Sequence, residues 1–489
     1  MSLSALGLAA RGGRDAAVTG LAVDSRAVEP GMLFAALPGS AVHGAQFIPQ
    51  VLEAGAGAVL TDPEGARIAA GALAGSPAAL VVVEEPRAAL ARAAALWFGA
   101  QPEVMVAVTG TNGKTSVATF TRQIWMALGE PAINLGTTGI EGAWEAPLHH
   151  TTPDPITLHR ALAAAEAEGV THAAMEASSH GLDQHRLDGV RLMAAAFTNF
   201  TQDHLDYHKS FEAYFEAKAG LFTRVLPEDG TVVVNMADPK AAEIAEIARE
   251  RGQDLLSVGR GEGCDLRILA QRFDATGQDL RFTWMGRSVQ VRLNLIGGFQ
   301  AENVLVAAGL AIATGEPPND VFGVLDKLST VRGRMQLAAT RENGAAVFVD
   351  YAHTPDAVET ALKALRPHVM GRLVVVFGAG GDRDRTKRPL MGAAAAAHAD
   401  VLIVTDDNPR SEDPAEIRAA ILAACPGATE VGDRAEAILR GVAELGPGDA
   451  LLIAGKGHES GQTVAGIVYP FDDVEQASLA VAALDGRPV

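Results

Sequence analysis

Residues 104–115 read Val-Met-Val-Ala-Val-Thr-Gly-Thr-Asn-Gly-Lys-Thr, and the fold of the chain turns on them. Residues 104–108 are mostly apolar and have the length of a buried strand. Gly110 and Gly113 flank Thr111 and Asn112 and let backbone N–H groups turn toward an anion, while Lys114 adds a charge. Thr115 or Ser116 then offers a hydroxyl to a magnesium ion, at the start of a helix whose positive end favours phosphate. This is a P-loop, although Val108 stands where the first glycine of the usual G-x-x-x-x-G-K-[ST] belongs. The alternative is a glycine-rich turn between a strand and a helix, but the G-K-T, the apolar strand before it and the continuation at 116–120 together favour phosphate binding. The segment therefore predicts that the chain handles a nucleoside triphosphate.

A length of 489 residues suggests about three domains. Working outward from the P-loop, the expected boundaries are 1–98, 99–330 and 331–489. The first segment alternates short strands with alanine-rich helical stretches, such as 87–98, and reads as a small α/β domain. The second alternates strand and helix, with strands expected at 173–177, 194–200 and 231–235, and predicts a parallel sheet. Within it, 265–295 alternates apolar and polar residues like antiparallel strands, and 301–313 reads as an apolar helix. The third has buried strands at 346–350, 373–377, 401–405 and 450–454, with helices at 389–398 and 414–424. That is a second doubly wound pattern, for which ligand groups are expected beyond the strand ends. Polar clusters follow all four: Tyr351 to His353, Gly380 to Arg383, Asp407 to Arg410, and Gly455 to Glu459. The expected fold class is α/β in three domains, the last of them Rossmann-like.

Composition narrows the partners. The formal charge is −19, from 59 acidic against 40 basic residues, which opposes duplex nucleic acid and anionic membrane. Cys264 and Cys425 are the only cysteines, too few for a disulfide framework or a thiolate zinc site. The N-terminal residues lack a basic start followed by a long apolar run, and no apolar stretch is long enough to span a bilayer. A reducing cytoplasm and no membrane insertion are the expectation.

Several residues carry chemistry. Glu176 ends an expected strand, where a carboxylate could bind magnesium or lie solvated. Residues 198–208 pack Asp203, His204, Asp206 and His208 together. His204 and His208 are four apart, so a zinc pair, a magnesium site and a capped helix start all remain open. Lys218 in Tyr-Phe-Glu-Ala-Lys (214–218) reads by itself as a surface helix lysine.

At this point the chain resembles the Mur ligases of peptidoglycan synthesis. The motifs T-G-T-N-G-K-T, E-A-S-S-H-G-L-D-Q-H-R, N-F-T-Q-D-H-L-D-Y-H, D-Y-A-H-T-P-D, G-D-R-D-R-T-K-R-P, D-N-P-R and G-K-G-H-E occur in family order over almost the whole length. The resemblance implies an ATP-dependent amide ligase that adds meso-2,6-diaminopimelate to UDP-N-acetylmuramoyl-L-alanyl-D-glutamate through an acyl phosphate, and a monomeric cytoplasmic enzyme. By matching position, Val23, Ser25, His43, Gly44 and Ala45 would hold the uridine diphosphate end. Thr151, Thr152, Ser178, Gln184 and Arg186 would hold the muramoyl-peptide. Lys218 matches a lysine that reacts with carbon dioxide to give a carbamate, an anionic ligand beside Glu176, His204, Thr115 and Mg2+. Asn303, Arg334, Asp350 and His353 match positions contacting ATP. Two departures are Gln300, where the family has asparagine, and Gln336, an amide for an acid.

Diaminopimelate differs from lysine by a second carboxylate beside its far amine. A guanidinium pairs with such a carboxylate, and acidic or carbonyl groups accept from the ammonium. Arg383 and Arg410 suit the first task; Asp407, Asn408, Glu459 and the Gly455 carbonyl suit the second. The family resemblance carries Asp407-Asn408-Pro409-Arg410 as the diaminopimelate pattern, with Arg410 discriminating. A loop salt bridge from Arg410 to Glu412 or Asp413 is the competing reading. Lysine-adding ligases, folylpolyglutamate synthetases and simple P-loop hydrolases or kinases are the neighbouring possibilities.

Overall fold

The computed structural model describes residues 1–39, 42–148, 150–201 and 207–486. His204, Asp203 and Asp206, and with them the possible His204–His208 pair, lie outside or partly outside these residues. Contacts divide the chain into two compact units, Met1–Ser257 with Gly309–Glu316, and Val258–Ala308 with Pro317–Val489.

The first unit opens with four parallel strands in sequence order: Leu21–Ala22, Leu33–Ala36, Ala58–Thr61 and Ala79–Val82. Their parallel course brings Val23 and Leu37 to the same end of the sheet. The helix Pro86–Phe98 buries Leu90, Ala93 and Ala94 against this sheet.

The larger sheet includes, as neighbours in order, Thr231–Asn235, Ala194–Phe197, Val104–Thr109, His172–Glu176, Ala132–Gly136 and Gly139–Gly142 of this unit. Every pairing is parallel except the last. The strands at 104–109, 172–176 and 194–197 are almost wholly buried, as expected of apolar runs covered on both faces. The chain leaves Val104–Thr109 toward one side of the sheet and Ala194–Phe197 toward the other. The P-loop thus opens at a topological switch point, where open α/β sheets form a crevice. The sequence predicts a strand to residue 200, but it ends at Phe197. Thr198 and Asn199 turn their hydrogen bonds to the P-loop instead.

In the second unit, Leu266–Asp274, Gly277–Trp284 and Arg287–Leu293 form the expected antiparallel meander. The apolar helix at 301–313 is seen as Gln300–Ala313. The remaining sheet has the order Gln336–Thr340, Ala346–Asp350, Ala450–Ala454, Leu373–Phe377, Val401–Val404 and Thr429–Glu430. All pairings are parallel but the first. Four of its helices start on side-chain caps: Thr354, Asp413, Asp433 and Asp472 each accept from first-turn N–H groups, satisfying donors that helices leave open. After Leu373–Phe377 the chain proceeds to Val401–Val404. After Ala450–Ala454 it ends in a helix, Asp473–Asp485, packed near the opposite edge. The neighbouring strand ends at 377 and 454 therefore frame a second crevice.

Candidate active site

The P-loop is held by the strand end beside it. Asn112 N donates to Asn199 Oδ1 at 2.9 Å, and Asn199 Nδ2 returns a bond to Asn112 O at 3.1 Å. Thr198 Oγ1 donates to Asn112 O at 2.6 Å, and a Cβ on Gly110 (φ +145°) would overlap that hydroxyl. Gly113 (φ +88°) leads directly into the helix Lys114–Leu128. Lys114 Nζ curls back onto Gly110 O and Thr111 O at 2.9 and 2.8 Å. Thr115 and Ser116 are buried in the first helical turn.

Beneath the loop, Glu176 is 2% exposed, so it is not a solvated strand-end acid. Its Oε2 accepts from Thr115 Oγ1 at 3.0 Å and Thr137 Oγ1 at 3.2 Å, and its Oε1 accepts from Thr137 N at 2.7 Å. Gly136 is what admits this carboxylate, because a Cβ there would collide with it. Lys218, on the helix Phe211–Gly220, corrects the surface reading: it is 1% exposed. Its Nζ donates to Gly110 O at 2.7 Å and lies 4.5 Å from the centroid of the Tyr214 ring. A lysine amine held this deep reaches the P-loop backbone itself.

The same strand end extends to a second polar network. Thr152 Oγ1 donates to Glu176 O at 2.8 Å and accepts from Ser178 N at 3.1 Å. Thr151 and Thr137 share a hydroxyl contact at 3.1 Å, and the Ser178 hydroxyl caps the helix Ser179–Asp183. Arg186 Nη1 donates to Thr152 O at 2.5 Å and its Nη2 to Gln184 Oε1 at 2.8 Å. Gln184 in turn donates to Tyr207 Oη at 3.1 Å. All five residues expected at the muramoyl-peptide are therefore gathered on one edge with Glu176. Burial lowers the Arg186 pKa from its ordinary value, the Asp154 charge pulling the other way. At the N-terminal sheet, Val23 is exposed and Ser25 begins a short helix. His43 Nδ1 accepts from Ala45 N at 3.0 Å, its Nε2 lies 3.1 Å from Asp62, and Gly44 N donates to Leu37 O.

In the second unit, Asp350 accepts from Met335 N and Ala352 N at 2.6 and 2.9 Å. Burial pushes its carboxyl above the usual range, against the pull of Arg334. The Arg334 guanidinium stacks 4.5 Å above the Tyr351 ring, and His353 Nδ1 contacts Tyr351 O at 2.8 Å. Gln336 accepts from Gly333 N at 2.7 Å and so closes its own turn. Asn303 Nδ2 donates to Gln300 Oε1 at 3.2 Å, which gives that substituted amide a defined partner.

The four strand-end clusters meet over the second crevice. Arg410 Nη1 donates to Gly381 O at 2.7 Å, its N to Thr463 O at 3.0 Å, and its carbonyl accepts from Ala465 N at 2.7 Å. Glu412 pairs instead with Arg388 and Arg385, and Asp413 caps the helix Pro414–Leu422. The competing salt bridge is thus not formed. Asn408 Nδ2 donates to Glu459 Oε2 at 2.8 Å. Asp407 and Pro409 are buried, Gly455 has φ +121°, and a Cβ there would press on Asp407 Oδ2 at 2.5 Å. Arg383 is exposed on the neighbouring turn.

Sequence reasoning missed Thr137 and the hairpin Gly461–Val464 with Ile467–Pro470, and gave Asn199 and Tyr207 no role of their own within their motif. Recognising 132–136 as a strand would have placed Thr137 at a strand end. The hairpin was hidden because its second strand is exposed throughout. Among the described residues no three His, Cys, Asp or Glu cluster as a metal set, and no helix is long and apolar enough to cross a membrane.

These features define a P-loop α/β protein with a strand-end crevice in each of its two units. The chain belongs to the Mur ligase family: its catalytic domain matches residues 17–98, its middle domain 108–311, and its glutamate ligase domain 333–457. The UDP-N-acetylmuramoyl-L-alanyl-D-glutamate–2,6-diaminopimelate ligase of Bradyrhizobium diazoefficiens is 50% identical over 472 residues, covering 95% of each chain. The ligase of the same name from Caulobacter vibrioides is 50% identical over 478 residues, covering 96% of this chain and 97% of its own. A solved structure of a ligase of that name has a TM-score of 0.70 at 34% identity, covering 96% and 95% of the two chains. The fold is also that of a Thermotoga maritima MurF ligase in complex with ADP, with a TM-score of 0.61 at 18% identity and coverage of 96% and 98%.

Proposed function

We propose that this protein is an ATP-dependent amide ligase that joins meso-2,6-diaminopimelate to UDP-N-acetylmuramoyl-L-alanyl-D-glutamate in the supply of peptidoglycan precursor. The names of its relatives support the substrates. The observation that carries the reaction class is the shared strand end at Glu176. Its carboxylate bonds the P-loop helix through Thr115, while its carbonyl bonds the acceptor-side network through Thr152. A phosphoryl donor and a carboxylate acceptor would thus meet across one residue.

A carboxylate is a poor electrophile. Its oxygen attacks the γ-phosphorus of ATP, ADP leaves, and an acyl phosphate results. The amine of diaminopimelate then attacks the acyl carbon, sheds its extra proton, and expels inorganic phosphate. Positioning and charge neutralisation are what such a transfer demands. Lys114, with Gly110, Thr111, Asn112, Gly113 and Ser116, would cradle the phosphates. Asn303, Arg334, Asp350 and His353 would hold the rest of the nucleotide. Thr151, Thr152, Ser178, Gln184 and Arg186 would orient the muramoyl-dipeptide, and Val23, Ser25 and His43 to Ala45 its uridine diphosphate.

A magnesium ion at Thr115 and Glu176 would neutralise charge developing on the transferred phosphoryl group. Residue chemistry fits it: a buried acid and a hydroxyl stand side by side under an anion-binding loop. Family resemblance adds His204 and a carbamate on Lys218. Attack of the Lys218 amine on carbon dioxide, with loss of one proton, would leave one N–H and a carboxylate whose single charge two oxygens share.

Arg410 would pair with the distal carboxylate, assisted by Arg383, while Asp407, Asn408, Glu459 and the Gly455 carbonyl receive the ammonium beside it. Pro409 sets the turn between them. A cytoplasmic monomer with domains at 1–98, 99–330 and 331–489 completes the proposal. Phosphate release should require ATP, the UDP-muramoyl-dipeptide and diaminopimelate together; release unaffected by omitting either of the last two would refute it.

A further inference from the structure

Lys456 lies under the second crevice and is entirely inaccessible, at 0% exposure. A buried ammonium must find partners for its charge and its donors. Lys456 finds one for each of its three N–H groups: Asn408 Oδ1 at 3.2 Å, Glu459 Oε2 at 3.2 Å and Gly461 O at 2.5 Å. These acceptors belong to three separate segments: the loop after Val401–Val404, the loop after Ala450–Ala454, and the start of the hairpin. Neither the nucleotide chemistry nor the amino-acid contacts proposed above use this residue.

The tripod decides which way the Asn408 amide faces. Asn408 Oδ1 accepts from Lys456 Nζ and from Thr463 N at 2.9 Å. Neither donor can accept, so turning the amide over would set an NH2 group against two donors. The fixed orientation sends Nδ2 to Glu459 Oε2, which Lys456 also holds. Glu459 is one-third exposed on its side chain, and with Oε2 doubly engaged its Oε1 is the oxygen left to face a ligand. Thr463, the other donor on Asn408, also accepts from Arg410 N. One buried cation therefore sits behind both the groups that would receive an ammonium and the loop that carries the guanidinium.

We infer that Lys456 is a positioning residue for amino-acid selection, setting the Asn408 amide and the Glu459 carboxylate without touching the substrate. This rests on the proposed function, since it concerns the amino-acid side of that reaction. Lys456→Met keeps the stem and removes the donors and charge. With ATP and the UDP-muramoyl-dipeptide saturating, KM for diaminopimelate should rise at least tenfold while KM for ATP stays within twofold. Lys456→Arg should recover part of the loss. Asn408→Ala should also raise KM for diaminopimelate, and the double variant should be little worse than the poorer single one, because both act through one unit.

An unchanged KM for diaminopimelate in Lys456→Met, equal losses for every substrate, or fully additive effects with Asn408→Ala would each overturn the inference. If Lys456→Met does not fold, Lys456→Gln is measured by the same comparison. Failure of both to fold would make Lys456 a support of the whole domain and would likewise overturn the assignment. A wild-type enzyme with no diaminopimelate-dependent turnover would instead refute the reading of the function.

Discussion

Arg410→Ala separates recognition of the amino acid from every other part of the reaction. The Arg410 backbone has φ +52°, a conformation costing an L-residue about 1–2 kcal/mol. Alanine bears the same cost, so that term cancels. The backbone bonds to Thr463 and Ala465 also survive. What disappears is the guanidinium, whose Nη1 is anchored on Gly381 O, leaving Nε and Nη2 for a carboxylate. Truncating one partner of a desolvated charge pair costs about 2–5 kcal/mol. The half-buried setting of Arg410 places it in the lower part, about 2–3 kcal/mol. At about 1.4 kcal/mol per tenfold, kcat/KM for diaminopimelate should fall roughly 30- to 150-fold. Lysine lacks the distal carboxylate, so its kcat/KM should change less than about threefold. Arg410→Gly relieves the backbone cost and should match or exceed Arg410→Ala in stability while losing the same selectivity. Coupled phosphate-release kinetics with both amino acids supplies the ratio. An unchanged ratio of diaminopimelate to lysine would refute the assignment, and so would restored selectivity in Arg410→Gly.

Lys218→Ala should lose on the order of 10²-fold or more in kcat, with partial recovery when a short carboxylic acid is added to replace the carbamate; full activity without rescue would remove the carbamate from the account. Gly136→Ala drives a methyl group into Glu176 and should lower kcat by at least about tenfold, at a stability cost of about 1–3 kcal/mol; wild-type turnover would show that the position of Glu176 is not critical. His159 is buried, which lowers its pKa to about 4, with Arg191 adding to the shift. Between its unfolded value near 6.5 and about 4, the unfolded chain alone binds that proton, so stability falls on acidification through this window and is fully present above it. Denaturant midpoints at pH 7 and pH 5 should therefore differ less in His159→Leu than in the wild type; an equal or larger drop would contradict the burial argument.

Much of the fold was legible because parallel strands buried on both faces read as unbroken apolar runs. Residues 346–350, 373–377 and 450–454 coincide with observed strands, and polar clusters after them mark the crevice. Edge elements were less legible. The strand Gln336–Thr340 and the hairpin after Glu459 are half-exposed or exposed, so their pattern carries little hydrophobic signal. Lys218 shows the limit most plainly. Its helix neighbours do not distinguish a surface lysine from one that reaches Gly110 O, because that contact spans 108 residues of sequence. Thr137 was invisible for a related reason: its role depends on Glu176, 39 residues away. Arg410 was legible as the candidate over a loop salt bridge, and the structure adds that Arg388 and Arg385 occupy Glu412.

Oxygen transfer tests the central claim most directly. The UDP-muramoyl-dipeptide is labelled with 18O in its terminal glutamate carboxylate, turned over with ATP and diaminopimelate, and the released phosphate is analysed by mass spectrometry. Passage through an acyl phosphate requires one carboxylate oxygen to depart with the phosphate for each amide formed, so the label should appear there in step with tripeptide. Unlabelled phosphate accompanying tripeptide, or phosphate formed without any tripeptide, would contradict the account.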